Sequence, residues 1–227
     1  MAWPSQTGIS WPSGVRPASP PVELLLAKED FKFNAAHFVV HEAARERLHG
    51  HNYRVFLSLR GASPSASAGG YLLDFGPLKA TVRGLCAALD GRFLLPTRNP
   101  HLSVCREGGH VALMPACDSS RFLLPEDDVL PLPIANVTVE ALAELLAARF
   151  LEAVGVQTLR AHGVSHVALG VGEAPGQEAV WRLDLGEAAG EDVSPVTPGA
   201  HAVEDGGWAR ASTESGCAAG HGSEASL

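Results

Sequence analysis

The sequence predicts an α+β fold built on an antiparallel sheet, in the order β-β-α-(β)-α-β-β. Three observations predict it. Tyr53, Val55, Leu57 and Leu59 alternate with Arg54, Ser58 and Arg60, the period of a half-buried strand. Leu78, Val82, Leu85 and Leu89, and later Val139, Leu142, Leu146 and Phe150, recur at helical spacing. Ser165–Val171 and Ala179–Leu185 are two strand-like runs joined by GEAPGQ, a hairpin signal. Runs of strands that flank helices, rather than alternating with them one by one, argue against a parallel α/β sheet.

Taken in order, residues 1–22 are rich in Pro, Ser and Gly and read as an extension without a core of its own. Phe31–Val40 is β-rich and supplies the first strand, and 53–60 supplies the second, ended by the loop GASPSASAGG. Gly76–Leu89 is the first helix. Residues 93–133 hold short apolar pieces divided by Gly, Pro and Asp, which read as a small β excursion. The second helix starts near Val139, with Asn136 or Thr138 as its cap and Glu140 in the first turn, where a carboxylate meets the positive end of the dipole. Residues 186–227 carry almost no large apolar side chains and read as a second tail. The folded unit is therefore residues 23–185.

The chain has 227 residues, of which 46% are hydrophobic and 19% charged, with a net charge of −8. A domain-sized core is affordable at this length, and no apolar run is long enough for a membrane-spanning helix. The acidic balance argues against a nucleic-acid partner. Cys86, Cys105, Cys117 and Cys217 form no CxxC pair and read as free thiols of a reducing compartment. With no secretory h-region at the N-terminus, the expected location is the cytoplasm, an organelle address remaining open.

Ten histidines are the unusual feature. His49 and His51 form an HxH step, and in an extended strand side chains two apart share a face. By itself such a step more often marks an exposed turn. His37 on the preceding strand would add a third imidazole, and the small Gly50 would let the strands approach. Three imidazoles with an open fourth position are the donor set of a catalytic zinc. His41 reads as exposed.

Six segments in order (FNAAHF, LHGHNYRV, LLDFGPLK, LDGRFLLP, NVTVEALAELLAARF and GVGEAPGQEAVWR) resemble the 6-pyruvoyl-tetrahydropterin synthase / 6-carboxytetrahydropterin synthase family over roughly residues 28–183. The resemblance implies the tunnelling fold, a four-stranded antiparallel sheet with two helices on one face. It also implies assembly into a homohexamer from two trimers, zinc held by His37, His49 and His51, and 7,8-dihydroneopterin triphosphate as substrate. Glu173 matches the family's pterin anchor, a role that suits a carboxylate because it accepts two parallel hydrogen bonds. Thr138 and Glu140 match pocket-lining positions, although capping alone accounts for both.

Two departures bear on the reaction. The thiol that most members carry just before HGH is missing from EAARERL, and Glu46 stands three residues before His49. A glutamate variant of the family with the pattern RExLHGHN resembles an enzyme that cleaves the side chain to 6-hydroxymethyl-7,8-dihydropterin. Glu46 is accordingly expected as the base, against the simpler reading of a solvated group with Glu42, Arg45 and Arg47. The family's Leu-Asp-His relay is here Leu89-Asp90-Gly91, which keeps Asp90 as a catalytic candidate and leaves His101 or His110 to replace the lost His. Three readings follow: a lyase cutting a carbon–carbon or carbon–oxygen bond of dihydroneopterin triphosphate, a 6-carboxytetrahydropterin synthase, and a non-catalytic pterin- or zinc-binding homologue.

Overall fold

The structure, a computed structural model of the chain, describes residues 12–15, 22–62 and 70–186. The two expected tails lie, apart from residues 12–15, 22 and 186, outside the described residues. The elements are β1 (Val22–Leu26), β2 (Lys32–His37), β3 (His49–Gly61), α1 (Phe75–Leu89), β4 (Arg92–Pro96), β5 (Leu102–Glu107), β6 (His110–Pro115), β7 (Phe122–Pro125), β8 (Val129–Leu132), α2 (Val139–Val154), α3 (Val156–Ala161), β9 (Val164–Ala174) and β10 (Gln177–Asp184).

One seven-stranded sheet runs in the order β10-β9-β3-β2-β4-β8, and β1 pairs with the far half of β3. The antiparallel part is the one expected from the alternation: β2 pairs with His49–Arg54 of β3, and β9 pairs with β3 on its other side. The difference is at the opposite end, where β4 and β8 join in parallel. RFLLP and VLPL are short apolar runs, and nothing local tells such a run which strand it will lie beside. Only the meander β5-β6-β7 stands apart as a second, three-stranded sheet.

Both long helices cover one face of the large sheet. Asp74 caps α1, its side chain accepting from the Gly76 N–H at 2.8 Å, and Leu78, Val82, Leu85, Cys86 and Leu89 are buried. Thr138 caps α2 by accepting from the Ala141 N–H at 3.3 Å. Asn136 is used elsewhere: its side chain accepts from the Val40 N–H and donates to the Val40 carbonyl. Leu142, Leu146 and Phe150 of α2 meet Tyr53, Leu57 and Leu169 of the sheet in one core. Each such side chain contributes about 1.5–3 kcal/mol through burial. Burial pushes the Cys86 thiol up to about 12, so it is an inert core group.

A second core joins Phe38 and Val40, just after β2, to Phe93 and Leu95 of β4 and to Leu102, Val111 and Leu113 of the meander. The meander is therefore seated against the segment that leads into HGH. No helix among the described residues is long and apolar enough to cross a membrane.

Candidate metal centre

The register of two strands builds the centre. His37 of β2 lies directly across from His49 of β3, and Ala35 lies across from His51. The three imidazoles consequently share the core-facing side of the sheet at its open end. Their ring centroids are 4.5 Å (His37–His49), 5.3 Å (His37–His51) and 4.8 Å (His49–His51) apart. One ring nitrogen from each lies within 4.8 Å of the other two, so the trio could hold a metal ion. Gly50 between the two histidines is required by the close approach: a Cβ there would stand 2.8 Å from the Ala35 carbonyl oxygen.

The donor set fits a metal on two further counts. His37 is only 3% exposed, and neither of its ring nitrogens has a hydrogen-bond partner among the described residues. A buried polar atom left so is costly unless something satisfies it. Burial, reinforced by His49 and His51, lowers the His37 pKa to about 4, with weaker opposing pulls from Glu46 and the Val137 backbone. The ring is therefore neutral at physiological pH, the form in which imidazole donates to a metal. His49 Nδ1 lies 2.7 Å from the Arg47 carbonyl; with its proton donated there, Nε2 carries the free lone pair.

The carboxylates expected at the site take different positions. One Glu46 oxygen accepts from the Val39 N–H at 3.2 Å and lies 4.0 Å from His49 Nε2, with the side chain 51% exposed. Glu173 sits within β9, not in the hairpin turn, and its carboxylate lies 3.7 Å from His51 Nε2. Glu173 lines a cleft of about 600 Å³ beside His51, together with Arg54 and Pro175. Asp90 ends α1, and its carboxylate accepts from the Asn34 backbone N–H at 2.7 Å and from the Asn34 side chain. These bonds tie the helix end to β2. Gly91 follows at φ +69°, the left-handed conformation that favours glycine after a helix.

Thr138 is engaged as a cap and Glu140 is exposed in the first turn of α2. His41 is exposed, as expected. His101 is half-buried at the turn before β5, and His110 is exposed with Nδ1 3.0 Å from the Gly108 carbonyl. Sequence reasoning missed two features. Arg45, which the simpler reading places in a solvated group, is held by Asp118 and Ser120, 73 and 75 residues away. Tyr53 places a buried hydroxyl without a partner among the described residues next to the trio, its ring centroid 5.6 Å from that of His51.

Comparisons with known proteins show the family. The sequence model of the 6-pyruvoyl tetrahydropterin synthase family matches residues 26–183. A Methanocaldococcus jannaschii protein provisionally named 6-carboxy-5,6,7,8-tetrahydropterin synthase is 28% identical over 154 residues, which are 68% of this chain and 91% of that protein. The crystal structure of Plasmodium vivax 6-pyruvoyl tetrahydropterin synthase superposes with a TM-score of 0.68 at 32% identity, over 72% of this chain and 98% of that one. Two more structures of the Plasmodium vivax protein, each 31% identical with a TM-score of 0.68 over the same shares of the two chains, carry alanine or cysteine in place of a glutamate named there as a catalytic residue. With the family match spanning well over half of its length, the chain belongs to the 6-pyruvoyl tetrahydropterin synthase family, whose enzymes are lyases of pterin synthesis.

Proposed function

We propose that the protein is a zinc-dependent lyase that cleaves the side chain of 7,8-dihydroneopterin triphosphate to 6-hydroxymethyl-7,8-dihydropterin, with triphosphate elimination to 6-pyruvoyl-tetrahydropterin as the alternative outcome at the same site. The observation that carries this reading is the Glu46 carboxylate, fixed by the Val39 N–H 4.0 Å from His49 Nε2. The glutamate named as catalytic in the Plasmodium vivax protein supports it. His37, His49 and His51 would hold the zinc, which when bound supplies a Lewis acid for a side-chain oxygen of the substrate.

Glu46 acts as general base on the hydroxyl proton at C2′. As that proton leaves, the C2′ oxygen becomes a carbonyl and the C1′–C2′ bond breaks. Its electron pair passes into the dihydropterin ring, and C1′ recovers a proton, which Glu46 can return. The products balance as hydroxymethyl-dihydropterin and a two-carbon aldehyde bearing the triphosphate. A carboxylate suits this step better than the elimination, which begins at a carbon acid and calls for a stronger base such as a thiolate. Glu173 anchors the pterin by accepting from the 2-amino group and N3–H, a bidentate contact that orients the side chain toward Glu46. Thr138 and Glu140 belong to the same proposal as pocket wall at the start of α2. Asp90 serves by holding the end of α1 to Asn34.

A 6-carboxytetrahydropterin synthase is the second reading, favoured by the name of the Methanocaldococcus jannaschii relative. Product identity separates the two. Zinc-loaded protein incubated with 7,8-dihydroneopterin triphosphate is expected to yield 6-hydroxymethyl-7,8-dihydropterin on chromatography. A 6-carboxytetrahydropterin product, or none, refutes the proposal.

Assembly is proposed as a homohexamer. The outer edge of β10 has no strand beside it among the described residues, and Leu25 and Trp181 are large exposed apolar side chains of the sheet. Pairing such edges between subunits removes a template for aggregation. A stable monomer by light scattering at micromolar concentration would sink the assembly.

A further inference from the structure

The meander β5-β6-β7 reaches the site through one side chain. Arg45 Nε donates to Asp118 Oδ2 at 2.9 Å and to Ser120 Oγ at 3.0 Å, both in the β6–β7 connection. Its guanidinium lies 4.9 Å from the Phe122 ring centroid, and Nη1 donates to the Glu46 carbonyl at 3.1 Å. Asp118 is itself fixed, since its second oxygen accepts from the Ser120 N–H and hydroxyl. Only a planar fork can satisfy a carboxylate, a hydroxyl and a carbonyl while stacking on an aromatic ring.

The segment so held is the one that carries the base. Val40 and Arg45 form a β-bridge, the His41 N–H donates to the Ala44 carbonyl at 2.8 Å, and the Glu46 N–H donates to the Val39 carbonyl at 2.9 Å. The loop is thereby a narrow hairpin, pinned on one strand by Asn136 and Asn99 at Val40 and on the other by Arg45. Arg45 is 20% and Asp118 41% exposed, so the pair adds little to global stability. What it does determine is where the main chain of Glu46 sits.

We propose that Arg45 is a positioning residue: the meander, through Asp118, Ser120 and Phe122, holds Arg45, and Arg45 holds Glu46 at the histidine trio. The proposal rests on the reading of Glu46 as the general base.

The test uses the full chain and two readouts, turnover of 7,8-dihydroneopterin triphosphate and amide hydrogen exchange at Glu46. Arg45→Ala is expected to lower kcat about 10- to 100-fold, the scale of an ångström-sized misplacement, with little change in KM or zinc content. Exchange at the Glu46 amide should rise. In a Glu46→Gln background Arg45→Ala should cost nothing more, because the two act as one unit. Arg45→Lys should recover part of kcat, and Asp118→Asn should reproduce a weaker form of the defect without touching the loop. Unchanged exchange in Arg45→Ala, or losses that multiply in the double variant, overturn the proposal. If Glu46→Gln keeps full turnover while exchange still rises in Arg45→Ala, the clamp exists but the general-base reading fails, and the catalytic role of Arg45 falls with it.

Discussion

Replacing Glu46 by Gln removes a proton acceptor and almost nothing else. The side chain is 51% exposed and has one hydrogen bond of its own, from the Val39 N–H at 3.2 Å. The amide oxygen of Gln can accept the same bond. Substitution at such a surface position changes stability by no more than about 0.5 kcal/mol. Loss of a general base lowers the rate by about 10²–10⁴, which is about 3–5 kcal/mol on the barrier. The kinetic effect should thus exceed the structural one several-fold. Turnover, zinc content by elemental analysis and thermal midpoint should be measured on one preparation. The expected result is lost cleavage with unchanged zinc and melting. Near wild-type turnover refutes the base assignment and returns Glu46 to the solvent. Loss of zinc refutes it differently, because a carboxylate 4.0 Å from His49 Nε2 would then be acting as a ligand.

His49→Ala should abolish metal binding and activity together, since two imidazoles leave the ion under-coordinated; stoichiometric zinc in that variant would disprove the site. Metal-free protein should lose stability in mild acid, because the His37 pKa is lowered to about 4. Below about pH 6.5 the unfolded chain takes up a proton that the folded chain refuses, so stability falls between pH 6.5 and 4, by roughly 3 kcal/mol at most. Thermal melts across that range should show this slope, and its persistence in His37→Gln would assign it elsewhere. Glu173→Gln should weaken pterin binding about 10- to 100-fold, the worth of a charged hydrogen bond, with zinc retained. Calorimetry with a non-reacting pterin checks this, and undiminished affinity would remove Glu173 as the anchor.

What could be read in the sequence is what short-range periodicity encodes. The alternation at Tyr53–Leu59 and the helical spacing of Leu142, Leu146 and Phe150 appear in the fold with little more than longer ends. The three histidines were legible for the same reason, lying within fifteen residues on two strands whose pairing is antiparallel. The choice between Asn136 and Thr138 as cap was not, because both residue types cap helices equally well and only the contact of Asn136 with Val40 decides it. Parallel pairing of β4 with β2 and β8 was beyond reach, as it depends on connections that leave no local pattern. The six-residue helix α3 is too short to develop a periodic face.

The same distinction separates the parts of the site. Metal ligation is a local property: with His37 across from His49, and His51 two residues on, the imidazoles converge once β2 and β3 pair in register. A one-residue slip would turn His49 and His51 to the opposite face and destroy the centre, so the core-facing pattern Phe33, Ala35, Tyr53 and Val55 that fixes the register also fixes the ligands. The groups proposed for recognition and proton transfer, by contrast, depend on contacts from far along the chain. Glu173 arrives on β9, more than 120 residues after His51, through pairing of β9 with β3. The loop of Glu46 is held by Asn136 and Asn99 on one side and by Asp118 and Ser120 on the other. Alteration of the meander would therefore act first on Glu46 and reach the histidine trio only through the Arg47 carbonyl bonded to His49 Nδ1. On the proposed roles, the residue beside the trio is held by other contacts than the strand register that brings the trio together, which is the arrangement a shared metal scaffold needs if different side-chain chemistry is to be run from that residue.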